Sequence, residues 1–267
     1  MTAPVVKKLE REKVKRQMNK VAGEEIKGTH ILNRREMLVL FGTTTAALFA
    51  GCTGGLSGSY TPTTVAGCVV SPEQTEGPYF VDEKLNRSDI RVDPTDNSVR
   101  PGVTLRLVLS VYSVANNSCN PLPSATVDIW HCDALGSYSD VHDNAGEFAD
   151  TRGKKFLRGY QVTDASGKVE FQTIYPGWYT GRSVHIHYMV RTNPKSEVGH
   201  EFTSQLYFDE AITDQVHAQA PYAQKGQRDL RNERDGIYRR GGQQTMLGLT
   251  KDAQGYVGTY KVGMLLT

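Results

Sequence analysis

The stretch FQTIYPGWYTGRSVHIHY, residues 171–188, carries two strand patterns separated by the break Pro176-Gly177 and ends in His185-Ile186-His187. Because a strand alternates its faces, both imidazoles leave the same side of a sheet, with Cα atoms roughly 7 Å apart. Two imidazoles so placed can grip one metal ion. The Pro-Gly turn presents Tyr179, and Arg182 stands three residues ahead of His185, so a phenol, a cation and two ring nitrogens converge. Taken alone, the histidine pair suits a solvated strand face better than a metal site. A lone Tyr138 or Tyr179 suits packing.

Outward from this stretch, residues 104–114 (TLRLVLSVYSV) and 125–131 (ATVDIWH) alternate as strands. Residues 158–163 and 168–174 flank the turn Asp164-Ala165-Ser166-Gly167 and read as a hairpin. Residues 183–191 and 202–208 are further strands, and residues 209–219 form one short helix capped by Asp209. A last hairpin joins residues 244–250 and 256–264. The irregular segment EQTEGPYF, residues 73–80, turns at Gly77-Pro78 and presents Tyr79. A long loop over residues 132–152 contains Gly136-Ser137-Tyr138. Many short strands and almost no helix predict an all-β fold, a β-sandwich of mostly antiparallel strands with long active-site loops.

The chain has 267 residues, 38% apolar and 22% charged, which suits one domain plus a tail. Its net charge of +2 is misleading, since residues 1–35 hold ten Lys or Arg against four Asp or Glu. From Cys52 onward there are 21 basic and 24 acidic residues, a net of −3, which removes the electrostatic case for nucleic acid.

Arg34-Arg35 ahead of a modest apolar run resembles a twin-arginine export signal. The run is shorter than the roughly 20 residues of a spanning helix. Residues 1–51 are therefore expected to be an export signal with a long leader, with Met18 as an alternative start. Residues 52–67 read as a flexible linker and 68–267 as the folded domain. Phe49-Ala50-Gly51-Cys52 also resembles a lipobox, so either Cys52 carries a lipid anchor or the chain is cleaved nearby. The expected location is exported: extracellular, periplasmic or tethered to a membrane by lipid. One disulfide is expected among Cys68, Cys119 and Cys132, with the pair left open.

The segments EGPYF, DIWHCDALGSYS, TIYPGWY, RSVHIHY and TSQLYF resemble, in order and approximate spacing, those of the intradiol ring-cleavage dioxygenases, over roughly residues 68–264. The resemblance implies one non-haem Fe(III) ion per chain, held by Tyr138, Tyr179, His185 and His187. It further implies that a catechol-type diol binds as a dianion and displaces Tyr179, which then acts as base. Arg182 would stabilise the carbanion-like ring carbon. Gln205 would share the catalytic pocket, and Gly77, Pro78 and Tyr79 would line its substrate side together with Arg182 and Gln205. The implied reaction takes O2 and opens the ring between its two hydroxyl-bearing carbons, giving a muconate-type dicarboxylic acid. WHCDALGSYS is nearer the catechol and hydroxyquinol cleavers than the protocatechuate branch.

The inorganic chemistry agrees. A phenol of pKa near 10 becomes a hard anionic donor beside a trivalent cation, and the lack of a nearby carboxylate sets the pattern apart from two-His-one-carboxylate ferrous oxygenases. Two departures stand out. The helical dimerisation region of the intracellular catechol enzymes is replaced by the signal and linker, which leaves the oligomeric state open. The stretch between Tyr179 and His185 is also shorter than in many members.

The rival reading is a non-enzymatic secreted β-sandwich, transthyretin-like or carbohydrate-binding, which ATVDIW, TDASGKVEF and PGWY would also suit. A copper or ferrous oxygenase using only the histidine pair leaves both tyrosines unexplained. Trp130 is expected in the core. His131, His142, His200 and His217 are expected at the surface or beside the site rather than as ligands, and the mixed charges of residues 225–240 on a solvated face.

Overall fold

The computed structural model describes residues 64–65, 68–115, 118–142, 150–193 and 199–266. The expected export signal and the lipobox at Cys52 lie outside these residues. At the end of the expected linker, β1 (Thr64–Val65) pairs antiparallel with β2 (Cys68–Val69).

Two larger sheets make the body. In the first, β3 (Thr104–Ala115) is central. One of its edges runs parallel to β11 (Gly255–Leu265), which in turn pairs antiparallel with β10 (Gly248–Lys251). The other edge carries β7 (Lys168–Ile174) and then β4 (Ser118–Pro121), both antiparallel. The second sheet is wholly antiparallel, in the order β6 (Arg158–Val162), β5 (Thr126–Trp130), β8 (His185–Arg191), β9 (Glu201–Tyr207). The fold is thus the expected all-β sandwich, with β10–β11 as the expected final hairpin.

The expected hairpin of residues 158–174 is not one. Its turn forms, with the Asp164 carboxylate accepting from Ser166 N at 2.8 Å and Lys168 N at 2.9 Å. Its two strands, however, belong to different sheets, β6 pairing with β5 and β7 with β3. Thr163 diverts the chain, its Oγ1 accepting from Ala125 N at 2.9 Å while donating to Leu122 O at 2.7 Å. Alternation reports which face of a strand is apolar, but not which strand lies beside it.

One helix, α1 (Glu210–His217), follows β9 and is capped as expected, with Asp209 Oδ1 accepting from Ala211 N and Ile212 N. Cys68 and Cys119 form the disulfide, leaving Cys132 free and buried.

The placement of the site follows from the alternation of β8. Ile186, Tyr188 and Val190 point into the main core between the sheets with Val127, Ile129 and Leu206. His185, His187 and Met189 therefore emerge on the opposite face. That face is also covered: Trp130, Cys132, Tyr138, Val141, Tyr179 and Met189 form a second buried cluster, against which Tyr79 and Phe80 pack. The segment before Tyr79 is anchored to the sheet by Gln74 N donating to Thr203 O at 2.8 Å. Trp130 is buried as expected, but in this outer cluster rather than in the main core.

Candidate metal centre

Asp133 shapes the loop that delivers Tyr138. Its carboxylate accepts from Leu135 N and Ser137 N, both at 3.0 Å, while its carbonyl accepts from Gly136 N and Gly177 N. The last bond ties the Tyr138 loop to the Tyr179 loop, and only glycine fits there, because a Cβ on Gly177 would stand 2.5 Å from Ala134 O. Thr151 Oγ1 donates to Tyr138 O at 2.6 Å and holds the phenol's own backbone.

The two loops and β8 bring the four candidate ligands together. His185 Nε2 lies 3.0 Å from His187 Nε2 and 3.3 Å from the Tyr179 hydroxyl. The Tyr138 ring stands edge-on to Tyr179 at 5.6 Å between centroids and 6.2 Å from the His187 ring. All four side chains are buried. His185 Nδ1 is 2.6 Å from Ser183 O, so it carries the ring proton and Nε2 offers its lone pair to the centre. Burial, with Arg182 next, lowers the His185 pKa to about 3. Burial and then His185 push His187 well below its ordinary value. Both imidazoles are therefore neutral at physiological pH, as metal ligation requires.

The phenols behave differently. Burial and then Tyr179 raise Tyr138 well above the ordinary value, and burial raises Tyr179 against the opposing pull of Arg182. Neither ionises at neutral pH unless a cation joins it. The Tyr138 hydroxyl is moreover buried with no hydrogen bond of ordinary length, its polar neighbour being the Tyr179 phenol, an arrangement that costs about 1–3 kcal/mol. A hard cation between two phenols and two neutral imidazoles removes that cost, so these residues fit a ferric ion. Among the described residues no three of His, Cys, Asp and Glu converge to hold a metal ion. The tyrosines are what completes the set.

Arg182 and Gln205 meet at the edge of the centre. Arg182 Nη2 donates to Gln205 Oε1 at 2.5 Å, and Nη1 approaches His185 Nε2 at 3.4 Å. Gln205 is placed by register, opposite His187, and its Nε2 donates to Thr75 O at 2.8 Å. Gly77 lies against the His187 ring, and Tyr79 stacks on Tyr138 with centroids 4.6 Å apart.

Several neighbours were not legible in the sequence. Asp235 accepts from Arg182 Nε at 2.8 Å, and it is fully buried rather than on a solvated face. In sequence, Asp235-Gly236 signals only a turn. Tyr207 donates to Gln205 Oε1 at 3.1 Å. Buried Arg158 donates to the carbonyls of Tyr79 and Ser139, both at 2.6 Å, joining the two loops that carry Tyr79 and Tyr138. His131 and His217 are buried rather than at the surface, His131 hydrogen-bonded to Thr173 Oγ1 and Cys132 O, and His217 to Pro176 O. His142 and His200 are exposed.

A family model described as "Dioxygenase" matches residues 75–236, a span that contains all of these residues. An intradiol ring-cleavage dioxygenase from Tetranychus urticae is 32% identical, covering 74% of this chain and 95% of its own, with a TM-score of 0.63. The dioxygenase domain of a dioxygenase carbohydrate-binding protein fusion from Streptomyces sp. SirexAA-E is 25% identical over 74% of this chain and 99% of its own, with a TM-score of 0.52. Chlorocatechol 1,2-dioxygenase from Pseudomonas sp. (strain P51) is 26% identical over 152 residues, 50% of this chain and 54% of that protein. The chain thus spans about half the length of that curated relative, and 40% of a second, from Pseudomonas putida. A matched family model over most of the sandwich, together with the two-tyrosine, two-histidine centre, places the chain in the intradiol ring-cleavage dioxygenase family.

Proposed function

We propose that this protein is a non-haem Fe(III) dioxygenase that cleaves a catechol-type ring between its two hydroxyl-bearing carbons. The observation that carries this reading is the convergence of two neutral imidazole nitrogens and two buried phenols beside the Arg182–Gln205 pair. A ferric ion held by Tyr138, Tyr179, His185 and His187 would supply the positive charge that ionises the phenols and favours a diol bound as its dianion.

The residues divide the remaining work. Tyr138, wholly buried and held through its carbonyl, is the fixed phenolate. Tyr179, at 8% exposure the least enclosed of the four and adjoining Arg182, would be the phenol that accepts a diol proton at its hydroxyl oxygen. The Arg182 guanidinium stabilises negative charge as it develops on the ring carbon. Tyr79, stacked on Tyr138, helps to keep water from the reacting face. The overall reaction balances without an external reductant: one ring C–C bond breaks, both atoms of O2 enter the product, and the catechol becomes a muconate-type diacid.

The Arg34-Arg35 pair ahead of an apolar run supports export, and Cys52 would be the attachment point in a lipid-tethered form. Folding around the metal before transport suits the twin-arginine route. An exported enzyme would meet plant-derived or environmental phenols.

The test is the visible spectrum and iron content of the purified full-length chain, before and after catechol is added without oxygen. A tyrosinate-to-iron charge-transfer band that shifts with catechol is expected, followed by ring-opened product once air is admitted. A protein that stays colourless after reconstitution with iron overturns the proposal in favour of a binding module.

A further inference from the structure

We infer that Asp235 is a positioning residue for the ring-cleavage reaction, acting through Arg182; the inference rests on the function proposed above. The carboxylate is saturated by donors from two directions. Its Oδ2 accepts from Arg182 Nε at 2.8 Å, Ser183 N at 2.9 Å and Ser183 Oγ at 3.1 Å. Its Oδ1 accepts from Ile237 N at 2.7 Å and Tyr238 N at 3.1 Å. A carboxylate held by five donors, wholly buried, has no freedom to rotate.

Its hold on Arg182 falls on Nε, the root of the guanidinium fork. Because that group is planar, fixing Nε leaves only the two terminal nitrogens to face the centre. Nη2 reaches Gln205 Oε1, with the Tyr207 hydroxyl 3.5 Å away, and Nη1 lies 3.4 Å from His185 Nε2. Gln205 passes the constraint on through its bond to Thr75 O, on the segment that leads to Gly77 and Tyr79. The charge of the carboxylate also offsets that of a guanidinium otherwise set among neutral rings.

Asparagine cannot replace it. Its amide would turn an N–H either toward Arg182 and Ser183 or toward Ile237 N and Tyr238 N, all of them donors. Glutamate keeps the charge but moves the carboxylate by one methylene.

The experiment compares wild type with Asp235→Asn, Asp235→Glu, Arg182→Ala and the Asp235→Asn/Arg182→Ala double variant, all as full-length chain. The readouts are iron content, the anaerobic catechol-induced band shift, kcat and KM, and, on protein loaded with diamagnetic Ga(III) in place of iron, the 1H–15N signal of Arg182 Nε–H. Both single Asp235 variants are expected to keep iron and the band shift, to lose kcat by about 100-fold with KM nearly unchanged, and to lose the slowly exchanging Nε–H signal. Most of the Asp235→Asn loss in kcat should disappear in the Arg182→Ala background, since only the bonds to Ser183, Ile237 and Tyr238 then remain to be perturbed.

Losses that multiply in the double variant overturn the inference, as does wild-type kcat in Asp235→Glu. If Asp235→Asn does not fold, the Glu variant decides by the same readouts. A wild type without turnover would refute the catalytic reading itself, and the Nε–H signal would then report separately whether Asp235 holds Arg182.

Discussion

The indole of Trp130 lies flat on the imidazole of His187, with centroids 5.0 Å apart and planes within 6°. The contact is a product of register, since the two residues face each other across the β5–β8 pair. His187 Nδ1 is buried and makes no hydrogen bond, so packing rather than a polar partner sets this ring's orientation. Trp130→Leu is therefore expected to cost about 2–4 kcal/mol of stability through the cavity it leaves. It should also lower iron content, because His187 is then free to turn. Chemical denaturation and an iron assay check both, and a fully iron-loaded variant would show that the stack is not needed for ligation.

Gly77 braces the same ring from the other chain segment. It has φ +72°, and a Cβ there would stand 3.3 Å from His187 Cε1. Gly77→Ala is expected to cost about 1–2 kcal/mol in backbone strain and, in addition, to displace His187. Gly153→Ala is the control: its φ is +81°, but nothing lies within 4 Å of the added methyl. Both variants should lose similar stability, whereas only Gly77→Ala should change the tyrosinate-to-iron band. Identical spectra for the two would refute contact between this loop and the metal centre.

Arg158 is buried, and its three hydrogen-bonding nitrogens meet only neutral acceptors: Ser139 Oγ at 2.8 Å, Ser139 O and Tyr79 O. Burial lowers its pKa to about 10, which leaves it charged at neutral pH. Arg158→Met strands these buried acceptors, and a loss of about 3 kcal/mol is expected. Arg158→Lys should rescue little, since one ammonium cannot reproduce the fork. Urea denaturation of both variants reads the effect.

Asp128 gives a pH dependence of stability. Its carboxylate lies 2.7 Å from Arg191 Nη2, yet burial outweighs the attraction of Arg191 and raises its pKa to about 6. The same carboxylate raises the Arg191 pKa against burial. The pair therefore attracts, but less than the cost of burying the acid. The unfolded carboxyl titrates near 3.9, so between about pH 4 and pH 6 the folded state binds more protons than the unfolded state. Stability consequently falls as pH rises through that window. Asp128→Asn should flatten this part of the profile, as followed by urea midpoints from pH 4 to pH 6.5. An unchanged slope would assign the dependence to another group.

The chain order of motifs made much of the site legible. His185 and His187 were identifiable from strand alternation and Tyr179 from the Pro-Gly turn, which act over a few residues, whereas Tyr138 and Gln205 were singled out only by the resemblance of their segments to the family's. Alternation likewise determined the all-β class, and setting Cys52 apart with the signal limited the disulfide to one of three pairs. Only the tertiary structure decided what depends on distant partners: that β6 and β7 part into different sheets, that β11 runs parallel to β3, that Cys68 joins Cys119, and that Asp235 holds Arg182. The physical reason is that side-chain periodicity is a local property of the backbone. Strand neighbours and buried charge pairs are chosen by how whole faces bury and satisfy one another, over separations at which the sequence carries no period.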